Sequence, residues 1–220
     1  MLVQNSHKAG TGLPFFSVII TTYNRSSLLL RALDSIICQT EHDWEVIIVD
    51  DGSTDDTKLT IAPYLAQGKG IKYFWQEPQG APSAKNKGAF LAKGKYITFL
   101  DSDDEYYPCH LQSRKKLLQT HPEVGFLYGG AKVMGNKYVP DRFDYKKKIH
   151  LKDCSVGGTF FIKKQIFLSM GGFADIPFSS DAEFYDRIKL AGIIKIKSTD
   201  DTYIYHRENT NSITNNISEL

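Results

Sequence analysis

Short apolar runs alternate with amphipathic stretches through the first half of the chain. Four runs are almost wholly apolar and rich in β-branched or aromatic residues, as buried strands are; they cover residues 15–20, 44–49, 71–75 and 95–100. Between the first two runs, apolar side chains recur at helical spacing at Leu29, Leu33, Ile36 and Ile37. Strands that alternate with helices predict βαβ units. The pattern therefore indicates an α/β fold with a mostly parallel central sheet and helices on both faces.

Polar residues and glycines mark where the first helices begin and end. Ser26 or Ser27 can cap the N-terminus of the first helix. A second helix is expected over residues 55–66. A third is expected over residues 82–93, with Gly94 as its C′ residue.

The second half of the pattern is less regular. It predicts helices over residues 108–119, 164–170 and 180–191, and strands over residues 124–130, 158–163, 193–196 and 202–205. Residues 136–150 are expected to form a charged, tyrosine-bearing loop. The 220 residues suit one domain with two lobes. We expect this domain over residues 15–208, between flexible segments at 1–14 and 209–220.

Polar clusters follow three of the predicted strands. They are Thr21–Arg25, Asp50–Ser53 and Asp101–Asp104. Open α/β sheets bind ligands at the carboxyl ends of their strands. Three such clusters at one edge of a sheet therefore predict a pocket.

The acidic run Asp101-Ser102-Asp103-Asp104 supplies oxygen atoms, which are the ligands that Mg²⁺ and Mn²⁺ prefer. A cation would also relieve the repulsion between crowded carboxylates. Other acidic motifs do not fit, because an EF-hand loop needs glycine where Tyr106 or Asp56 stands. The sequence also has no GxxxxGK[ST] phosphate-binding loop. A solvated turn is the alternative interpretation of the run.

Composition and charge exclude several classes of protein function. A net charge of +2 does not indicate a nucleic-acid-binding protein. Three separated cysteines support neither a disulfide framework nor a zinc site, and they favour a reducing compartment. No apolar run is long enough to cross a membrane, so we expect a cytoplasmic protein. The short basic run 146–148 fits a solvated loop, and it leaves open peripheral contact with a membrane.

Five segments of the chain resemble a known family. They are SVIITTYNR (17–25), IIVDDGSTDDT (47–57), GAPSAKNKGAFLAKGKYITFLDSDD (80–104), GGFADIPFSSDAEFYDRIKLAG (171–192) and YIYHRENTNSIT (203–214). In order and spacing they are similar to family 2 inverting glycosyltransferases of the GT-A fold. The resemblance implies an α/β/α sandwich in which residues 15–104 bind a nucleotide-sugar and residues 105–208 form the acceptor lobe.

The resemblance also implies a role for each matching residue on the donor side. Thr21, Tyr23 and Ser102 would line the nucleotide site, and Asp51 would accept a hydrogen bond from the base. Lys85 would lie near the ribose or the phosphates, although the family more often has arginine there. In the DxD motif, Asp103 would ligate Mn²⁺ or Mg²⁺ and Asp101 would act through ribose or water.

On the acceptor side, the resemblance implies that Asp181 is the catalytic base. The family usually has glutamate just before it, where this chain has Ser180. A first-turn aspartate that only stabilises its helix is the alternative. His206 would approach the diphosphate or the metal from the C-terminal part of the domain.

The function implied is metal-dependent transfer of a sugar from a nucleotide-sugar, expected to be a UDP-sugar, to a hydroxyl of a glycan or lipid-linked acceptor. The family places such reactions in surface polysaccharide synthesis. Two alternatives stay open. One is a sugar-phosphate nucleotidyltransferase, which would normally have a Gly-rich basic loop after the first strand. The other is a non-catalytic module that binds nucleotide-sugars.

Overall fold

The computed structural model describes residues 12–68 and 70–208. The predicted tail at 209–220 and most of the predicted N-terminal segment lie outside the described residues. The strands are β1 (Phe16–Thr22), β2 (Trp44–Asp50), β3 (Ile71–Trp75), β4 (Tyr96–Asp101), β5 (Glu105–Tyr106), β6 (Phe126–Tyr128), β7 (Ala131–Gly135), β8 (Tyr138–Pro140), β9 (Lys148–His150), β10 (Phe161–Lys163), β11 (Lys195–Lys197) and β12 (Tyr203–Arg207). The α-helices are α1 (Ser26–Ile37), α2 (Thr57–Ala66), α3 (Ala81–Leu91), α4 (His110–Thr120), α5 (Lys164–Ser169) and α6 (Ser180–Leu190), and short 3-10 helices lie at Leu151–Asp153 and Gly157–Thr159.

A seven-stranded sheet forms the centre of the fold, in the order β11-β6-β10-β4-β1-β2-β3. Strand β1 pairs in parallel with β2 and β4, while β10 is antiparallel to both of its neighbours. The predicted mostly parallel sheet is confirmed. The central strands β1, β2 and β4 are mostly apolar because helices cover both faces of the sheet.

Alternate residues of each central strand enter two separate cores. Val18 and Ile20 of β1 pack with Leu33 and Ile61, which belong to α1 and α2. Ile19, between them, packs on the other face with Phe184 of α6. This alternation follows from the two-residue period of a strand. The result is the predicted three-layer α/β/α arrangement.

A second sheet has the strand order β5-β12-β7, with β12 in the middle. Of its three strands, only β12 was predicted, over residues 202–205. The predicted loop at 136–150 is also wrong, because its ends pair as the antiparallel β8–β9 hairpin. These strands have at most five residues, and they lack the apolar runs that mark a fully buried strand.

Several predicted boundaries also differ from the structure. Helix α3 ends at Leu91, and Gly94 is not its C′ residue but a point of close approach, where a Cβ atom would lie 2.6 Å from the Ser17 nitrogen. Helix α1 has no side-chain cap from Ser26 or Ser27; instead Asp55 accepts the Ser26 N–H at 3.1 Å. The strand predicted from residue 158 begins at Phe161, after a 3-10 turn.

None of the helices in the described ranges is long and apolar enough to cross a membrane.

Candidate active site

The three polar clusters meet at one edge of the central sheet. In the strand register, Thr21 lies opposite Asp101 and Thr22 lies opposite Asp50. The clusters after β1, β2 and β4 are therefore neighbours, which confirms the predicted convergence of the strand ends. Thr21 is half-buried, Tyr23 is exposed and Ser102 is buried at this edge.

Lys85 of α3 forms an ion pair with Asp101, with 2.7 Å between the Lys85 Nζ and the Asp101 Oδ1. Burial alone would lower the pKa of Lys85, but the negative charges of Asp101, Asp181 and Asp104 outweigh it and raise that pKa. Lys85 is therefore a charged ammonium among three carboxylates. Such a cation suits a site that receives a diphosphate.

Asp103 is held by two arginines that the sequence did not single out. The Arg25 Nη1 lies 2.5 Å from the Asp103 Oδ2, and the Arg31 guanidinium donates to the Asp103 backbone carbonyl. Arg25 stands within the strand-end cluster 21–25, which was the available signal for it. Arg31 lies inside a helix pattern, and nothing in its local sequence marks it.

Asp104 anchors the acidic turn to the C-terminal strand of the domain. It is fully buried, and it accepts hydrogen bonds from the Tyr203 hydroxyl and, at 2.8 Å, from the His206 backbone N–H. Burial and the nearby charges of Asp101 and Asp103 raise the pKa of Asp104 well above its usual range. Sequence reasoning counted this residue only among the oxygen ligands of the acidic run and did not predict its structural role.

His206 faces Glu105 rather than the DxD motif, with 2.8 Å between its Nε2 and the Glu105 Oε1. Within residues 12–68 and 70–208, no three His, Cys, Asp or Glu side chains are grouped so that they could hold a metal ion. The predicted set of Asp101, Asp103 and His206 is thus not assembled as one cluster. The carboxylates of Asp101 and Asp103 still have the oxygen chemistry that Mg²⁺ or Mn²⁺ requires, and each is paired with a cationic side chain.

Asp51 fixes the loop that leads into α3. Its carboxylate accepts hydrogen bonds from the Gln76 side chain at 2.7 Å, from the Gln79 N–H at 2.9 Å and from the Gly80 N–H at 2.7 Å. These bonds set the start of the helix that carries Lys85. A carboxylate offers about four acceptor positions, so one remains for a ligand.

Asp181 lies in the first turn of α6, as predicted. Its carboxylate accepts the Gly157 N–H at 2.9 Å and the Ala182 N–H at 2.8 Å. Burial raises the pKa of Asp181, although the Gly157 N–H and the Lys85 charge act in the opposite direction. A carboxylate with a raised pKa is a better proton acceptor than an exposed one.

A cavity of about 370 Å³ opens beside this site, between α2 and the ends of β2 and β3. It is lined by Asp50, Ser53, Thr54, Asp55, Lys58, Tyr73 and Trp75. Asp50 and Ser53 belong to the predicted strand-end cluster, but no residue to which the sequence gave an individual role lines the cavity.

The sequence matches the model of "Glycosyl transferase family 2" over residues 17–181. A curated relative from Escherichia coli, the UDP-Glc:alpha-D-GlcNAc-diphosphoundecaprenol beta-1,3-glucosyltransferase WfgD, is 27% identical over 174 residues, covering 77% of this chain and 66% of the relative. A Campylobacter jejuni relative, GalNAc(5)-diNAcBac-PP-undecaprenol beta-1,3-glucosyltransferase, is 43% identical over 95 residues, covering 42% of this chain and 31% of the relative. The chain thus spans less than two thirds of either relative.

Solved structures share the fold. Staphylococcus aureus TarS 1–349 in complex with UDP-GlcNAc superposes with a TM-score of 0.74 at 22% identity, over 90% of this chain and 60% of TarS 1–349. The mannosyltransferase PcManGT from Pyrobaculum calidifontis, in complex with GDP-Man and Mn²⁺, superposes with a TM-score of 0.70 at 22% identity, over 88% of this chain and 57% of PcManGT. The family match covers most of the chain, and the chain therefore belongs to glycosyl transferase family 2.

Proposed function

We propose that this glycosyltransferase moves a sugar from a UDP-sugar to a hydroxyl of a lipid-linked glycan, with inversion at the anomeric carbon. The observation that carries the proposal is the position of Lys85. It forms an ion pair with Asp101, and the charge of Asp181 also raises its pKa. The charges of the proposed donor site and of the proposed base thus both act on one cation.

In this proposal, residues at the strand ends bind the nucleotide-sugar donor. Thr21, Tyr23 and Ser102 line the nucleotide, and Asp51 uses its remaining acceptor position for the base. Uracil N3–H is a donor that a carboxylate can accept. Lys85 contacts the phosphates, where its ammonium offsets the charge of the leaving UDP.

A divalent cation, Mn²⁺ or Mg²⁺, belongs to this proposal. Asp103 and Asp101 would hold it, and when bound it would neutralise the diphosphate. To release these carboxylates, Arg25 and Lys85 move from them to phosphate oxygens. His206 takes no direct part unless its contact with Glu105 opens.

Asp181 acts as the base on the acceptor side. It takes the proton from the acceptor hydroxyl while that oxygen forms a bond to the anomeric carbon. The bond from that carbon to the UDP oxygen breaks in the same step, which inverts the configuration. The Gly157 N–H and the Ala182 N–H fix the orientation of the carboxylate and leave about two of its four acceptor positions for a proton.

The acceptor class is supported by the two curated relatives, whose names specify diphosphoundecaprenol or PP-undecaprenol acceptors. We propose a surface polysaccharide as the product class. With an acceptor in a membrane, the protein would act at the membrane face, which we propose to be the cytoplasmic one.

The test is UDP release from a panel of UDP-sugars with Mn²⁺ and a lipid-linked acceptor, in the wild type and in Asp181→Asn. We expect the variant to lose at least about a hundredfold in rate while it still binds UDP. Asp175→Asn is the matched control, because Asp175 is exposed. Pyrophosphate formation from a nucleoside triphosphate would instead favour a nucleotidyltransferase. Binding without turnover would favour a non-catalytic module.

A further inference from the structure

The segment at residues 137–152, here called the basic hairpin, concentrates positive charge. It contains six Lys and Arg residues and two Asp residues, a net charge of +4, whereas the whole chain has a net charge of +2. The rest of the chain is therefore negative by two charges. The small net charge of the whole chain is therefore compatible with one strongly basic surface.

The basic hairpin also exposes large aromatic side chains. Phe143 is 83% exposed and Tyr145 is 56% exposed. Val139 is buried and Ile149 is half-buried, so this side of the β8–β9 pair faces the domain. Because side chains alternate along a strand, Tyr138 and Lys148 lie on the opposite side.

The charges of the basic hairpin are mostly unpaired. Within residues 12–68 and 70–208, Lys146 and Lys148 have no carboxylate within ion-pair distance, and Lys147 has only Asp144, at 3.2 Å. Exposed aromatics beside lysines with free ammonium groups are the composition of interfacial membrane-binding segments. In such segments the ammonium groups meet anionic headgroups, and the aromatic rings enter the headgroup region.

The basic hairpin packs against the elements that carry the proposed base. Arg142 forms an ion pair with Asp186 of α6, and the rings of Tyr145 and Phe178 are 5.9 Å apart. Phe178 precedes Asp181 by three residues, and Asp186 follows it by five. A surface bound by the basic hairpin would therefore lie on the acceptor side of the active site.

We infer that the basic hairpin is the docking surface of this protein for an anionic lipid bilayer. The basic hairpin has a net charge of +4, and the remainder of this chain has a net charge of only −2. A continuous negative surface therefore complements the hairpin better than the remainder of the chain does. The docking orients α6 toward the membrane. The part of the inference that concerns a lipid-linked acceptor rests on the proposed function, whereas bilayer binding does not.

The experiment is co-sedimentation of the full chain with phosphatidylcholine vesicles that contain about 30% phosphatidylglycerol, and with vesicles of phosphatidylcholine alone. We expect binding to the anionic vesicles only, weakened as salt rises from about 0.1 M to about 0.5 M. The combined variant Lys146→Gln, Lys147→Gln and Lys148→Gln should bind about 100-fold more weakly, because each lysine contributes about fivefold. These side chains are exposed, so the variant should fold normally.

The matched control carries Lys116→Gln, Lys195→Gln and Lys197→Gln, which removes the same charge from other exposed positions. It should bind within about threefold of the wild type. Phe143→Ser should weaken binding by about tenfold with no change in charge. Equal losses in the two triple variants, no binding by the wild type, or displacement of the protein from vesicles by inorganic phosphate would each overturn the inference.

Failure of the proposed function gives a different result. Hydrolysis of a soluble UDP-sugar, measured without vesicles, should be the same in the wild type and in the hairpin variant. If neither protein released UDP while vesicle binding still depended on the basic hairpin, the proposed function would be wrong and the docking surface would stand.

Discussion

The ammonium of Lys85 lies 2.7 Å from the carboxylate of Asp101. The pair links α3 to the end of β4, and the charge of Asp181 also acts on the same ammonium. Lys85 thus offsets part of the negative charge of both Asp101 and Asp181. A donor diphosphate would compete with Asp101 for it.

Lys85→Met should lower kcat/KM by at least about tenfold, because the donor loses its phosphate contact. Loss of the ammonium also raises the pKa of Asp181, since Lys85 normally opposes the effect of burial on that carboxyl. The acidic limb of the pH profile should therefore move to higher pH. Initial rates of UDP release across pH measure both effects. Lys87→Met on the same helix is the control, and a pH profile equal to that of the wild type would contradict this role for Lys85.

Arg25→Gln should strengthen binding of Mn²⁺ in the absence of nucleotide by about fivefold, because Arg25 competes with the cation for Asp103. Mn²⁺ titration followed by electron paramagnetic resonance gives the dissociation constant. Asp103→Asn should abolish this binding. If Arg25→Gln weakened Mn²⁺ binding instead, the arginine would support the metal site rather than compete for it.

Asp51→Ala should weaken binding of uridine itself, even without metal, and it should also destabilise the loop 76–80. Three hydrogen-bond donors lose their acceptor, which we expect to cost about 2 kcal/mol of unfolding free energy. Calorimetric titration with uridine and urea unfolding separate the two effects. Asp51→Asn keeps one oxygen acceptor and should recover part of the stability. A variant that lost affinity for UDP alone, and none for uridine, would exclude the base contact.

Asp104 should make stability depend on pH. Its folded-state pKa is raised above the unfolded value, so its favourable contribution is complete below the unfolded pKa and is lost as the pH rises through the folded pKa. Asp104→Asn cannot ionise. Relative to the wild type it should therefore gain stability as the pH rises above about 4, by at most about 1.4 kcal/mol per pH unit. Urea unfolding at several pH values tests this, and parallel curves for the two proteins would contradict it.

The central sheet was predictable because β1, β2 and β4 are buried on both faces, and burial leaves an apolar run in the sequence. Strands β7 to β9 could not be found in this way. Tyr138 and Lys148 face away from the domain, and Pro140 interrupts any β pattern. The pairing of these strands depends on tertiary contacts between residues that are far apart in the sequence, so a short stretch of sequence does not reveal it.

The candidate site was predictable for a related reason. Strand ends are local features, so Asp51 and Asp101 stand out beside the apolar runs they follow. The partner of Asp103 is not local, because Arg25 lies 78 residues away. The cap of α1 was missed for the same reason: it comes from Asp55 in the loop before α2.

The bond between Asp104 and Tyr203 spans 99 residues of sequence. The acidic turn leaves the ribosome well before the strand that holds it, so a nascent chain carries this turn without its anchor. Because β12 supplies two partners of Asp104, the acidic turn acquires its final shape only after that strand has been synthesised and inserted between β5 and β7. Assembly of the site therefore requires the chain to have been synthesised as far as β12, well beyond the strands that carry the acidic turn.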